Sequence, residues 1–334
     1  MLKKYLVEII LGVFFGAVFT YLTLRQVNLN NFLKLMQSVN CSVLALSGLV
    51  YILCYVLRSV RFCFIILPIK KTKLLANFPY TVIGFLINNV LPLRLGEVVR
   101  ANITGKQMGI PRSSILAAII IERVFDITTF IFFFFAIIFL VPLTIPKFLL
   151  KSFGVLLSIV ILCIIVLPVV ITLQKKTLKI IRNFAFVPTK VKRFICLIFS
   201  KFINGLSVLK KPSIVFKVFV LSLLIWLAES FFFLAVASSC GVSVSILGAA
   251  FTIIVVGIGT IIPTTPGLLG TFEFMGITAL QILSIDKDPA LASIVTYHLL
   301  EILLIVLLGV LCILKAKVTF SDLLKFSKSK EHSA

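Results

Sequence analysis

Apolar residues run along this chain in stretches too continuous for a water-facing helix, which shows an apolar stripe rather than an apolar circumference. Runs at about 5–24, 42–67, 113–141, 148–173, 213–239 and 289–314 each suit the roughly 20 residues that cross about 30 Å of hydrocarbon. Two more apolar segments, at about 76–110 and 247–284, are interrupted by NNVLPLRLGEVVR (Asn88 to Arg100) and IIPTTPGLLGTFEF (Ile261 to Phe274). Each interruption sets Pro, Gly and Glu inside apolar sequence. Hydrocarbon cannot satisfy freed backbone groups, so a broken helix at membrane depth must be buried by protein or line a watery cavity. The two breaks are therefore the expected binding site.

Composition agrees. With 334 residues, 60% hydrophobic, 13% charged and a mean hydropathy of +1.21, the chain does not resemble a soluble core. The pattern predicts an all-α polytopic membrane protein, a single transmembrane domain over 1–334 with about six full spans and two re-entrant helical hairpins, about eight apolar segments in all. Met1 to Arg25, with Lys3, Lys4 and no small-x-small cleavage site, reads as a retained first span. Seven cysteines lie scattered with no Cys-x-x-Cys spacing, as apolar fillers would.

The net charge of +22 changes the picture only through its placement. Arg58, Arg61, Lys70, Lys71 and Lys73 follow the second span, ten Lys/Arg and no acid fill 175–211, and Lys315, Lys317, Lys325, Lys328 and Lys330 lie in the tail 315–334. The positive-inside rule puts all three in the cytoplasm, with both termini, and predicts a cell-membrane protein facing anionic lipid headgroups rather than nucleic acid. Segments 142–147, 241–246 and 284–289 carry little basic charge and belong outside. Keeping Arg94, Arg100, Lys106 and Arg112 inside requires each broken segment to enter and leave on one face. Residues 1–141 and 148–314 then read span, span, hairpin, span in opposite orientations, and their breaks share Pro92, Gly96, Glu97 and Pro266, Gly270, Glu273. An inverted repeat with paired broken helices is how many secondary transporters build a midplane site.

Glu122, Asp126, Glu229 and Glu301 fall inside spans, and Glu97 and Glu273 fall in the breaks. A charge at the helix centre costs roughly 2.5–3.5 kcal/mol on insertion scales, so each needs a partner or a cavity. Glu122 and Asp126 share a helical face, and Arg123 is placed to pair with Asp126. This is either an internal ion pair that locks helices together or a site where Arg123 takes a phosphate while a carboxylate takes a proton or cationic headgroup. His298 and Glu301 repeat the i,i+3 spacing, as a proton relay or as core residues. Two such groups without a third make no metal site, and no cofactor is expected. Thr265 before Pro266 predicts an N-cap and a helix starting at membrane depth, its free N–H groups aimed at a phosphate, with Gly267 and Gly270 in the same segment. Asn88 and Asn89 are placed for similar capping, and Arg94 and Arg100 join the substrate-binding candidates. Arg58 and Arg61 share a face, either to snorkel to the interface or to clamp a lipid phosphate as substrate-binding residues. The mixture of Phe with Lys and Arg in 175–211 predicts an amphipathic helix on the inner leaflet.

Taken together, LRSVRF (Leu57 to Phe62), GFLINNVLPLRLGEVVRANITGKQMGI (Gly84 to Ile110), IIIERVFDI (Ile119 to Ile127), LIWLAES (Leu224 to Ser230) and PTTPGLLGTFE (Pro263 to Glu273) resemble the flippase-like transmembrane family that forms the N-terminal region of lysylphosphatidylglycerol synthetases, the multiple peptide resistance factors. The specific blocks are Asn88, Pro92, Gly96, Glu97, Arg100; Glu122, Arg123, Asp126; and Pro266, Gly267, Gly270, Glu273, in family order. The resemblance implies a plasma-membrane protein of bacteria or archaea related to proteins that move an aminoacylated lipid between leaflets. The chain ends about 20 residues after its last span, so no aminoacyl-transfer domain and no lipid synthesis are expected. The expected function is transport of a phosphate-bearing phospholipid or isoprenoid-linked lipid, without catalysis, at a hydrated, electropositive midplane pocket. Transport would be passive or ion-coupled through Glu229, Glu273 or His298. Membrane lipids are the expected partners, with a homo-oligomer or a partner synthase compatible with the sequence. The alternatives are a lipid-binding accessory of a synthase, or a membrane enzyme using Glu122, Asp126 or Glu229 as acid or base.

Overall fold

The computed structural model describes residues 18–21, 23, 29–91, 94–183, 188–259, 266–316 and 318. The expected first span at 5–24 lies almost wholly outside them, as do Pro92, Thr265 and most of the tail. The described residues form helices and no strand. In chain order these are α1 (Leu29–Gln37), α2 (Cys41–Ile66), α3 (Leu74–Val90), α4 (Leu95–Met108), α5 (Arg112–Leu140), α6 (Lys147–Thr172), α7 (Gln174–Asn183), α8 (Thr189–Gly205), α9 (Pro212–Ser239), α10 (Ile246–Gly259), α11 (Thr271–Ile282) and α12 (Lys287–Ala316). Five of them, α2, α5, α6, α9 and α12, are long and apolar enough to cross a membrane. At 1.5 Å per residue, the 17 residues of α3 reach about 25 Å and the 14 of α10 about 21 Å, short of the hydrocarbon core.

The molecule is apolar outside and charged within. Phe132, Phe135, Phe139, Leu162, Ile164, Ile165, Leu311 and Leu314 are exposed, while Arg61, Arg100, Glu122 and Asp126 are buried. Only a hydrocarbon solvent makes that arrangement favourable, and this is a polytopic membrane protein.

Contacts between helix ends define two poles. At one, the Asn40 N–H donates to the Ser239 carbonyl at 2.9 Å and the Cys240 sulfur lies 3.6 Å from Thr296 Oγ1. At the other, Lys70 Nζ donates to the Met108 carbonyl at 2.7 Å and Ser114 Oγ to the Lys201 carbonyl at 2.5 Å. The second pole gathers Lys70, Lys71, Lys73, Arg112 and the basic helices α7 and α8. The 175–211 stretch thus holds two helices rather than one, with a short 3-10 turn at Leu206–Lys210, and α8 packs against α5.

Both broken segments form antiparallel hairpins. In the first, Arg100 of α4 packs on Gly84 of α3 and its Nη2 donates to Thr81 Oγ1, while Lys70 closes the open end on Met108. Gly96 presses on the Gly84 carbonyl and the Asn88 backbone so closely that any side chain would collide with backbone. In the second, Gly248 of α10 faces Leu283, and Gly259 faces Met275 and Thr271 of α11. The first hairpin opens at the basic pole and the second at the opposite one. Their tips meet: a Cβ on Gly267 would lie 3.7 Å from the Asn89 carbonyl oxygen.

The second tip departs from the sequence expectation. Pro266–Leu268 makes a single 3-10 turn, Gly267 and Leu268 take left-handed φ values of 67° and 59°, and the helix begins at Thr271 with Gly270 as N-cap. Pro266 therefore does not open α11. Two consecutive left-handed residues cannot continue a right-handed helix, so the start moves to the next stretch that can.

Candidate functional site

A cavity of about 160 Å³ lies where the tips meet, bounded by α2, α3, α5, α9, α10 and α12. Three arginines form one wall: Arg58 of α2, Arg94 at the start of α4 and Arg123 of α5. Glu229 of α9, in contact with Arg58, and His298 and Glu301 of α12 also line the cavity, and Phe85, Trp226, Phe272 and Tyr297 supply an aromatic lining. The lining is therefore mixed in charge, where the sequence led us to expect an electropositive pocket.

Arg58 and Arg61 do not snorkel. Arg58 Nη2 bonds Glu229 Oε1 at 2.6 Å and stacks within 5.0 Å of Phe85 and 5.2 Å of Trp226. Arg61 is fully buried, with Nη1 on Asp126 Oδ1 at 2.6 Å and on Ser222 Oγ at 2.8 Å. Both face the bundle interior because burying a guanidinium beside carboxylates in a low dielectric offsets its desolvation, whereas a lipid-facing one has nothing to offset it.

The carboxylates expected to serve together divide their work. Glu122 faces away from the cavity and holds Arg100 at 2.6 Å and Arg61 at 3.8 Å, with Arg100 stacked 4.0 Å from the Phe62 ring. Asp126 is shared by Arg61, by Arg123 at 3.3 Å and by the Trp226 indole N–H at 3.1 Å. Glu97 lies between Arg94 at 3.9 Å and Arg123 at 3.6 Å. The result is a locked layer (Arg61, Arg100, Glu122, Asp126) beneath an arginine surface that meets the cavity. The i,i+3 pair of Arg123 and Asp126 forms as its spacing suggests.

His298 does not pair with Glu301. Its Nδ1 lies 2.6 Å from Glu273 Oε1 and its ring stacks 4.0 Å above Phe272. Glu273 also accepts the Gly270 N–H at 2.7 Å, so the first turn of α11 is capped from within the chain and its donor is not offered to a ligand. Asn88 and Asn89 both line the cavity, Asn89 also donates to the Phe85 carbonyl of its own helix, and the N-cap position of α4 is held by Arg94. Gly267 and Gly270 shape the second tip, with positive φ values of 67° and 86°.

Two features mark the residues around the cavity. Arg58 Nε, Arg123 Nε and Asn88 Oδ1 have no hydrogen-bond partner among the described residues, although buried polar groups are ordinarily satisfied. Arg94 and Leu268, one from each tip, hold left-handed backbone at φ 54° and 59°. Such non-glycine conformations cost about 1–3 kcal/mol and gather at ligand sites. Sequence reasoning missed the aromatic lining, although Trp226 and Glu229 share one turn of α9 and Tyr297 adjoins His298.

Fold and site define an α-helical membrane protein with a charged cavity between two hairpin tips. Residues 9–309 match the family described as lysylphosphatidylglycerol synthase TM region, and the chain belongs to that family. It is also 29% identical over 226 residues to the UPF0104 membrane protein of Methanocaldococcus jannaschii, a match covering 67% of this chain and 91% of that protein.

Proposed function

We propose that this protein carries the headgroup of a phosphate-bearing lipid, a phospholipid or an isoprenoid-linked one, through the cavity between leaflets while the acyl chains stay in the bilayer. The observation that carries this reading is the arginine wall: Arg58, Arg94 and Arg123 line the cavity together, and the Nε groups of Arg58 and Arg123 make no hydrogen bond to any described residue. A bare phosphate in hydrocarbon is prohibitively costly, and charge-assisted hydrogen bonds from arginine offset that cost. The family's description, which names a lipid synthase, supports lipid as the class of cargo.

In this reading the basic pole is cytoplasmic, and the hairpins are re-entrant from opposite faces of the cell membrane. Residues 1–141 and 148–314 form an inverted repeat whose paired tips are the gates of alternating access. The lipid leaves chemically unchanged. In phosphatidylcholine vesicles carrying fluorescent phosphatidylglycerol, the purified protein is expected to expose inner-leaflet label to an external quencher, and Arg123→Ala to abolish the exposure. Equal exposure with the variant would remove the arginine wall from the mechanism, and a new covalent lipid species would replace the carrier with an enzyme.

A further inference from the structure

One acid at the cavity stands outside its ion pairs. Arg58, Arg61, Arg94, Arg100 and Arg123 are joined to Glu97, Glu122, Asp126 and Glu229 through contacts of 2.6–3.9 Å, and Glu273 is held by His298 at 2.6 Å. Glu301 lines the cavity, and its carboxylate has no hydrogen bond or ion pair to any described residue. Glu229, the other lining carboxylate, is held by Arg58 and by the Tyr297 hydroxyl at 3.4 Å. Glu301 is thus the lining carboxylate that no described side chain holds.

We propose that Glu301 is the proton site of an electroneutral carrier, taking up one proton for each phosphate that docks on the arginine wall. The inference rests on the phosphate-lipid reading above. A docked phosphate beside an ionised Glu301 sets two anions in one small, poorly solvated space, where they repel strongly. Protonation of a Glu301 carboxylate oxygen by a water-borne proton forms one O–H bond and removes that repulsion, and release of the phosphate returns that proton to water. The groups facing Glu301 suit this exchange: Tyr51, Tyr55 and Arg58 from α2, Glu229 from α9, and Tyr297 and His298 from α12, with the Tyr51 hydroxyl on the Glu301 carbonyl oxygen at 3.2 Å. One turn away, the 2.6 Å contact of His298 with Glu273 leads toward the second hairpin tip and provides a route for the proton. A metal ion would need several clustered ligands, and among the described residues no three His, Cys, Asp or Glu side chains gather. A proton needs one carboxylate.

Two measurements separate this inference from the reading beneath it. Infrared difference spectra of the purified protein between acid and alkaline pH are expected to show a protonated-carboxyl band that Glu301→Gln lacks and Glu301→Asp retains at a shifted position. In vesicles of phosphatidylcholine with fluorescent phosphatidylglycerol, an imposed pH gradient is expected to accelerate wild-type transfer severalfold and to leave Glu301→Gln indifferent. Absence of the band, or wild-type transfer that ignores the gradient, overturns the proton site and leaves the lipid carrier standing. A band assigned to Glu301 without any wild-type transfer overturns the carrier, and the coupling with it.

Discussion

Arg58 of α2 and Glu229 of α9 meet at 2.6 Å, 171 residues apart in sequence, with only 6% and 5% of their surfaces exposed. Breaking such a pair from one side leaves a buried charge uncompensated. Arg58→Met alone is expected to destabilise the protein by about 3–5 kcal/mol, and the double variant Arg58→Met/Glu229→Leu to recover most of that loss. Thermal unfolding followed by a thiol-reactive dye reads this directly, since Cys54, Cys196, Cys240 and Cys312 are free and buried until the bundle opens. Equal losses in the single and double variants would show that the pair adds nothing beyond its packing.

Close backbone approach in the first hairpin gives a second prediction. Gly96→Ala thrusts a methyl group onto the Gly84 carbonyl and the Asn88 backbone, and is expected to cost about 1–3 kcal/mol. Gly154→Ala, on the outer face of α6 with nothing within 4 Å, is expected to be neutral or stabilising by no more than about 1 kcal/mol. The same melting assay compares them.

Trp226, the single tryptophan, lines the cavity, so its emission reports on what enters there. Titration of the detergent-solubilised protein with short-chain phosphatidylglycerol is expected to change the fluorescence saturably. Arg123→Ala is expected to raise the apparent Kd by roughly 10–100-fold, the loss of one charge-assisted hydrogen bond set at about 1.5–3 kcal/mol. An unchanged Kd would place the headgroup elsewhere.

Hairpins that open at opposite poles make opposite labelling predictions. In a Cys41→Ser background, Lys73→Cys and Lys106→Cys, both exposed at the basic pole, are expected to react with an impermeant maleimide only from the cytoplasmic side. Ser243→Cys and Asp286→Cys, exposed at the other pole, are expected to react only from outside. Labelling of Lys73→Cys and Lys106→Cys from opposite faces would make the first segment a full crossing.

Much of the architecture was legible in the residues alone. Hydrocarbon demands continuous apolar sequence and internally satisfied backbone, so the five long helices and the two broken segments follow from local composition. The excess of acids within apolar runs likewise announced an interior that needs arginines. Which arginine meets which acid was not legible. Arg61 reaches Asp126 across 65 residues and His298 takes Glu273 at 25 residues' separation rather than Glu301 at three. Neighbouring positions on one helix are only candidates for pairing, and packing of other helices decides which of them a side chain can reach. The start of α11 moved for a related reason. Capping signals at Thr265 and Pro266 are local, while the left-handed turn at Gly267 and Leu268 is held where one hairpin tip abuts the other. The sequence by itself determined which segments enter the membrane and that they must carry charge. Only the tertiary structure decided which charges are locked away and which face the cavity, because that depends on distances between helices remote in the chain.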